Sequence, residues 1–140
     1  MKSGIYFVVA VITGLVAAFV LIVAVEGFSS LVHPFPAEFK GTSDEVCRHV
    51  ENYPAWILAV VLPMWAGTAF VGSWVAQRIG GVYASAMIAV ALLAGLILNI
   101  SLLPYPTWFE VACLIAIPAA SLVATKKRGL HNPAGKGTLS

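Results

Sequence analysis

The sequence predicts an all-α integral membrane protein, an up-and-down bundle of four transmembrane helices. Of its 140 residues, 60% are hydrophobic and 10% are charged, whereas soluble domains carry roughly a quarter charged residues. Four apolar runs also match the length of about 20 residues that a helix needs to cross a bilayer core. These features exclude an ordinary soluble domain, and the high hydrophobicity excludes a disordered chain.

The four runs fall at about residues 5–32, 54–77, 82–103 and 107–125. They are continuous rather than alternating, which indicates helices and not the strands of a membrane barrel. The first run is too long for a signal peptide, and no A-x-A-like cleavage site precedes Glu26. We therefore expect one membrane domain over residues 1–128, followed by a flexible, polar, glycine-rich cytoplasmic tail over residues 129–140.

Residues 33–53 form the one long connection, an outer loop, and the sequence predicts a short surface helix within it. Thr42 and Glu45 have the spacing of a capping box, which marks the N-terminus of a helix. Val46, Val50 and Tyr53 then repeat at helical spacing, so one side of this helix is apolar. The two remaining connections, between spans two and three and between spans three and four, have only four and three residues, which makes the joined spans antiparallel neighbours.

The basic residues predict the orientation. With the N-terminus in the cytoplasm, only Lys40 and Arg48 face the outer side. Cytoplasmic segments of membrane proteins carry an excess of Lys and Arg, so we expect both termini to be cytoplasmic. Six basic residues then lie on the inner side: Lys2, Arg78, Lys126, Lys127, Arg128 and Lys136.

Small residues recur at four-residue spacing on several spans. Such spacing lets two helices approach closely. It predicts helix packing and, if it faces lipid, a homo-oligomer or a place in a larger membrane complex. The residues that we assign to this role are Gly72, Ala76, Gly80, Ala91 and Gly95.

Polar side chains from three spans lie at nearly one depth. Glu26 is about 9 Å, and Asn99 and Glu110 are about 6 Å, inside the outer boundary at 1.5 Å per residue. Ser30 and His33 follow Glu26 on the same helical face. An acid is stabilised by facing inward rather than toward lipid, which predicts an outward-opening pocket for a ligand or proton. The alternative is structural: Glu26 and Asn99 bond each other or the backbone, and Glu110 extends to the headgroups.

No cofactor or metal is expected. All three histidines, His33, His49 and His131, lie outside the spans, which disfavours a buried haem. Cys47 lies in the outer loop and Cys113 inside the fourth span, so we expect no disulfide. Glu26 and His33 are two turns apart, about 10 Å, which is too far to share one metal ion unless the helix unwinds before Pro34. We expect no nucleic acid partner.

Two stretches carry a resemblance to a protein group. The chain has V-E-G-F-S-S-L-V-H-P-F-P at the end of the first span and N-I-S-L-L-P-Y-P-T-W-F at the start of the fourth. This pattern resembles a group of small uncharacterised four-span bacterial membrane proteins, over about residues 10–125. The resemblance implies a bacterial inner-membrane location and a four-span bundle, and it implies no activity.

Three functions remain open. The first is a non-enzymatic bundle that acts by oligomerisation or as an accessory subunit, since short loops leave little room for a substrate cavity. The second is a small oligomeric transporter or channel that uses the pocket at Glu26, with Pro63 and Pro118 interrupting spans two and four. The third is a membrane enzyme with acid/base chemistry at Glu26, Glu110 and His33. We rank the enzyme last and assign no catalytic residue.

Overall fold

The computed structural model describes residues 2–126, with side chains from residue 4 onward. Over this range the chain forms five helices and no strand, which confirms the predicted all-α class. The predicted tail, residues 129–140, lies outside the described residues. The helices are α1 (Lys2–Val32), α2 (Ser43–Glu51), α3 (Ala55–Gly80), α4 (Val82–Leu102) and α5 (Thr107–Lys126).

Four of these helices, α1, α3, α4 and α5, are long and apolar enough to cross a membrane. Their 20 to 31 residues give lengths of about 30 Å or more. The largest differences from the predicted spans are three residues long: α1 begins at Lys2 instead of residue 5, and α3 continues to Gly80 instead of ending at residue 77. The helix α3 ends there because Gly81 has a φ of 82°, a conformation that glycine adopts without strain. Both α3 and α5 continue through their internal prolines, Pro63 and Pro118.

The short helix α2 begins at the predicted capping box. The Thr42 hydroxyl accepts a hydrogen bond from the Glu45 backbone N–H at 3.4 Å. The Glu45 carboxylate in turn accepts from the backbone N–H groups of Thr42 at 3.2 Å and Lys40 at 3.0 Å. Val50 is buried, whereas Arg48 is exposed, so one side of α2 packs onto the bundle.

The bundle has two distinct ends. Cys47 of α2 lies beside the last residue of α4, with its Sγ atom 3.9 Å from the Leu102 carbonyl oxygen. We call this the α2 end; it also carries the connection 103–106 between α4 and α5. The opposite end carries the start of α1 and the turn at Gly81. The helix α3 is central, because it packs against α1, α4 and α5.

Small residues bring α1 and α3 together. A Cβ atom added to Gly14 of α1 would lie 2.9 Å from both the Ala76 Cβ and the Gly72 carbonyl oxygen of α3, and one added to Gly80 would lie 2.5 Å from the Ala10 Cβ. These contacts leave no room for larger side chains. Three residues of the predicted packing set, Gly72, Ala76 and Gly80, thus pack α3 against α1 within a single chain.

A hydrogen-bonded cluster joins α3, α4 and α5 near the opposite end. The Gln77 side-chain amide of α3 donates to the Thr125 backbone carbonyl of α5 at 2.7 Å. The hydroxyls of Ser85 on α4 and Thr125 lie 3.1 Å apart. At the α2 end the three helices are held instead by apolar side chains, with Ile57 and Phe109 fully buried. The two ends are therefore stabilised by different chemistry.

Candidate functional site

A groove of about 360 Å³ opens between α1 and α4, with α3 as its floor. Along α4 it extends from Ala91, near the middle of the helix, to Asn99, a length of about 12 Å at 1.5 Å per residue. Its volume lies in the range of small-molecule sites. The lining residues are Ile22 and Glu26 of α1, Trp65, Thr68 and Ala69 of α3, Ala91, Leu92, Gly95, Leu96 and Asn99 of α4, and Ile117 of α5.

The groove lies closer to the α2 end than a contact between α1 and α4. Near the opposite end of the bundle, Ala10 of α1 packs in one cluster with Ala84 and Ile88 of α4. Closer to the α2 end, α4 presents Ala91 and Gly95, and a Cβ atom added to Gly95 would meet no heavy atom within 4 Å. These two small residues, which we assigned to helix packing, line open space within one chain. Their packing against a second copy stays a prediction.

Three polar side chains line the groove: Glu26, Thr68 and Asn99. The Thr68 hydroxyl donates to the Met64 carbonyl at 3.0 Å, so its donor is already used. The Asn99 Oδ1 atom is buried and has no hydrogen-bond partner among the described residues. Glu26 is exposed at the mouth of the groove. An acid and an amide with free hydrogen-bonding capacity thus share one cavity, as their predicted depths suggested.

Two tyrosines lie within electrostatic range of Glu26, in the connections at the α2 end. Burial raises the pKa of Tyr105 well above its usual range, and the charge of Glu26 raises it further. Burial also raises the pKa of Tyr53; a hydrogen bond with Ser29 lowers this pKa, and the charge of Glu26 again raises it. Both phenols therefore keep their protons.

Trp65, the aromatic residue that lines the groove, belongs to a cluster of rings at this end. The Trp65 ring lies 5.5 Å from the Phe109 ring and 6.3 Å from the Tyr105 ring, and the last two are 5.1 Å apart. Phe109 is fully buried. The cluster holds Trp65 beside the cavity. Another ring of the cluster, Tyr105, lies within electrostatic range of Glu26.

The other predicted site residues do not line this groove. Ser30 is exposed, and its hydroxyl donates to the Gly27 carbonyl at 2.9 Å. Glu110 is half-buried in the first turn of α5. His33 lines a second pocket, also of about 360 Å³, beneath α2. The structure thus brings together Glu26 and Asn99, and it separates them from the remaining three.

The second pocket is built on stacked rings. The His33 and His49 rings are stacked at 4.3 Å, and Phe35 stacks on His49 at 4.1 Å and on Phe39 at 4.2 Å. Tyr53 lies 4.7 Å from His33. This stack attaches α2 to the end of α1. Sequence reasoning did not include His49, because its partner His33 is 16 residues away.

Burial lowers the pKa of His49, the His33 ring lowers it further, and a hydrogen bond with the His33 backbone partly opposes both effects. The Nε2 atoms of both rings are buried without a hydrogen-bond partner among the described residues. The neutral form of His49 is therefore the one that this stack favours.

Sequence reasoning also missed Trp65, Thr68 and Tyr105. Trp65 and Thr68 lie in an apolar run with no charged neighbour, and Tyr105 carries the ordinary pattern of an interfacial aromatic residue. Only the packing of α3 between α1 and α4 shows that Trp65 and Thr68 line the groove. A helical-wheel comparison of α3 with α1 could have placed Trp65 and Thr68 on the same face.

Within residues 2–126, no group of three or more His, Cys, Asp or Glu side chains is arranged to hold a metal ion. Comparisons of the chain with protein-family models, with curated proteins and with solved structures each found no match.

Proposed function

We propose that this multi-pass membrane protein resides in the bacterial inner membrane with both termini in the cytoplasm. Arg78 and Lys126 lie at the opposite end of the bundle, together with the start of α1, whereas Lys40 and Arg48 lie at the α2 end. This distribution supports a cytoplasmic opposite end. The resemblance to four-span bacterial proteins supports the location. The α2 end then faces outward, and the groove lies in the outer half of the membrane.

We further propose that the protein is a small carrier that binds its solute in the groove. The observation that supports this function is that Glu26 and Asn99, whose amide oxygen has no partner among the described residues, both line a cavity large enough for a small molecule. An ionisable residue inside a membrane segment is costly and marks a substrate or ion pathway. The groove reaches the middle of α4, near the level where carriers hold their solutes.

The two other functions have less support. Association was based on small residues and on short loops that leave little room for a cavity. Of the small residues, Gly72, Ala76 and Gly80 contact α1 in the same chain and offer no surface to a second copy, and a cavity is present despite the short loops. Acid/base catalysis was based on three residues, of which only Glu26 lines the groove. His33 lies in the second pocket, and Glu110 lies outside both.

The proposal can be tested by thermal unfolding of the purified protein in lipid nanodiscs. A panel of inorganic cations, organic cations, anions and neutral solutes is added to the wild-type protein and to a Glu26→Gln variant. A ligand that binds the folded state raises its unfolding temperature. We expect at least one class to stabilise the wild-type protein and to lose this effect in the variant.

The matched control is Glu110→Gln, which removes an acid outside the groove. It should respond to the panel as the wild-type protein does. If every compound gives the same shift in the wild-type protein and in Glu26→Gln, or if Glu110→Gln loses the response equally, the carrier proposal is wrong.

A further inference from the structure

The charges in the groove limit the solute to one class. Among the described residues that line it, Glu26 is the sole ionisable side chain, and no basic side chain is present. An anion would meet the Glu26 carboxylate without any compensating cation. A positive charge, in contrast, finds an opposite charge at the mouth of the groove.

The same inventory argues against a bare metal ion. Besides Glu26, the groove offers the Asn99 amide oxygen and the Thr68 hydroxyl. A hard cation such as Ca²⁺ takes six to eight oxygen ligands, and the described residues contain no group of three acidic or histidine side chains around a common point. An organic cation needs fewer ligands, because its charge is spread over atoms that also contact aromatic faces. Trp65 supplies such a face.

The side chains that line the rest of the groove indicate that the rest of the solute is apolar. Below Glu26 the groove is lined by hydrocarbon side chains, among them Ile22, Leu92 and Ile117. Ala91 and Gly95 are exposed on the outer surface of the bundle, so the groove is open on its side. In a membrane that side faces lipid chains. A solute that enters there must dissolve in the bilayer.

We propose that the groove binds a lipophilic organic cation that enters from the outer leaflet, with its charge at Glu26 and its hydrocarbon over Ala91 and Gly95. This inference rests on the proposed carrier function and names its substrate class. The Asn99 amide oxygen, buried and without a partner, accepts a hydrogen bond from a protonated amine or contacts a quaternary one through its partial negative charge.

Two ions of the same shape and opposite charge provide the test. Tetraphenylphosphonium and tetraphenylborate are each dialysed to equilibrium against the protein in nanodiscs, and uptake by empty nanodiscs is subtracted. We expect the phosphonium ion to bind at least about tenfold more tightly than the borate, because the Glu26 carboxylate attracts the first ion and repels the second.

Two pairs of variants locate the site. Glu26→Gln should weaken phosphonium binding at least about tenfold, whereas Glu110→Gln should leave it unchanged. Gly95→Leu places a side chain in the groove and should weaken binding by a similar factor. Gly67→Leu is its control, because Gly67 also has open space around it but does not line the groove.

The outcomes separate this inference from the carrier proposal. Equal binding of both ions, weakened by Gly95→Leu, would overturn the cation class and leave the groove as a solute site. Phosphonium binding that no groove variant changes would overturn this inference, and the carrier proposal would also be wrong if no compound of the solute panel distinguishes Glu26→Gln from the wild-type protein. If Glu26→Gln does not fold, as checked by circular dichroism, the binding of the two ions to Gly95→Leu and to its control Gly67→Leu decides between these outcomes.

Discussion

We expect the buried amide oxygen of Asn99 to lower the stability of the fold and to strengthen solute binding. A buried polar atom without a partner destabilises a fold by about 1–3 kcal/mol. Asn99→Leu removes this atom and has room to project into the groove. We expect the variant to unfold at a higher temperature, with a gain of about 1 kcal/mol, and to bind its solute more weakly. Thermal unfolding followed by circular dichroism measures the first effect and equilibrium dialysis the second.

A suitable control on the same helix is Ser101→Ala. The Ser101 hydroxyl is exposed and donates to the Ile97 carbonyl at 2.6 Å, so its removal should change stability by less than about 0.5 kcal/mol. A lower unfolding temperature for Asn99→Leu would show that the amide stabilises the fold, and it would remove Asn99 from the ligand groups.

His49 predicts a pH dependence at the α2 end. Its pKa in the folded protein is lowered from the ordinary value of 6.5, so the unfolded chain binds the proton more readily than the folded one. The stability that neutral His49 contributes is therefore present above pH 6.5 and decreases as the pH falls through its lowered pKa. We expect the amides of α2 to exchange hydrogen faster in acid.

The variant His49→Phe keeps a ring against Phe35 and removes the titration. Hydrogen exchange of α2 should then depend less on pH than in the wild-type protein. His33 and Tyr53 face His49, while Glu38, Glu45 and Arg48 line the same pocket; all are unchanged in the variant. An equal acid response in both proteins would assign it to one of these groups and contradict the role of His49.

The sequence predicted that Glu26 and Asn99 lie close together because the depth of each residue can be counted along its own helix from the end of the hydrophobic run. The same reasoning did not place His33. It assumed that side chains on the helical face of Glu26 enter the same cavity. The His33 backbone N–H still donates to the Ser29 carbonyl at 2.9 Å, but its ring stacks on His49, and the Ser30 hydroxyl donates to the Gly27 carbonyl. A shared helical face therefore does not by itself place two side chains in one cavity.

The contact between α1 and α3 predicts which glycine substitutions destabilise the fold. Gly14→Ala would place a Cβ atom 2.9 Å from the Ala76 Cβ and the Gly72 carbonyl oxygen, and overpacking of this kind destabilises by about 1–3 kcal/mol. Gly95→Ala adds the same methyl group where no atom lies within 4 Å. Thermal unfolding should show a loss for Gly14→Ala and no loss for Gly95→Ala. Equal effects would contradict this helix arrangement.

The elements themselves were well predicted. Hydrophobic runs of fixed length gave the four long helices to within a few residues, and the capping box at Thr42 and Glu45 gave the start of α2. The pairing of helices was not available from these signals, because small residues at four-residue spacing occur on several spans. Only the structure shows that Gly72 and Ala76 face α1, whereas Ala91 and Gly95 leave a groove.

The orientation of the protein in the membrane is tested by its two cysteines. Cys47 is partly exposed on α2, and Cys113 is buried. We expect a membrane-impermeant maleimide to label Cys47 in intact cells and to leave Cys113 unlabelled. A Ser140→Cys variant without the native cysteines should react only after the cells are opened. Labelling of residue 140 from outside would reverse the proposed orientation.

Oligomerisation stays a prediction, now with a smaller basis than the sequence suggested. Of the five small residues assigned to packing, Gly72, Ala76 and Gly80 lie between α1 and α3, and only Ala91 and Gly95 are exposed for contact with a second copy. Large apolar side chains cover the remaining surface of α1, including Phe19 and Val20, as is expected of a helix that faces lipid. The groove is formed within a single chain, so the proposed binding does not require a second copy.

Chemical modification of Glu26 tests most directly whether this residue lies in a groove open to the bilayer. A carbodiimide adds to a carboxyl group, and the dicyclohexyl compound reaches it from the lipid, whereas a water-soluble carbodiimide does not. Mass spectrometry of the peptide that contains Glu26 should detect the dicyclohexyl adduct in the wild-type protein. Gly95→Leu should reduce this adduct, and Gly67→Leu should not. Modification by the water-soluble reagent alone, or equal modification in both glycine variants, would contradict the account.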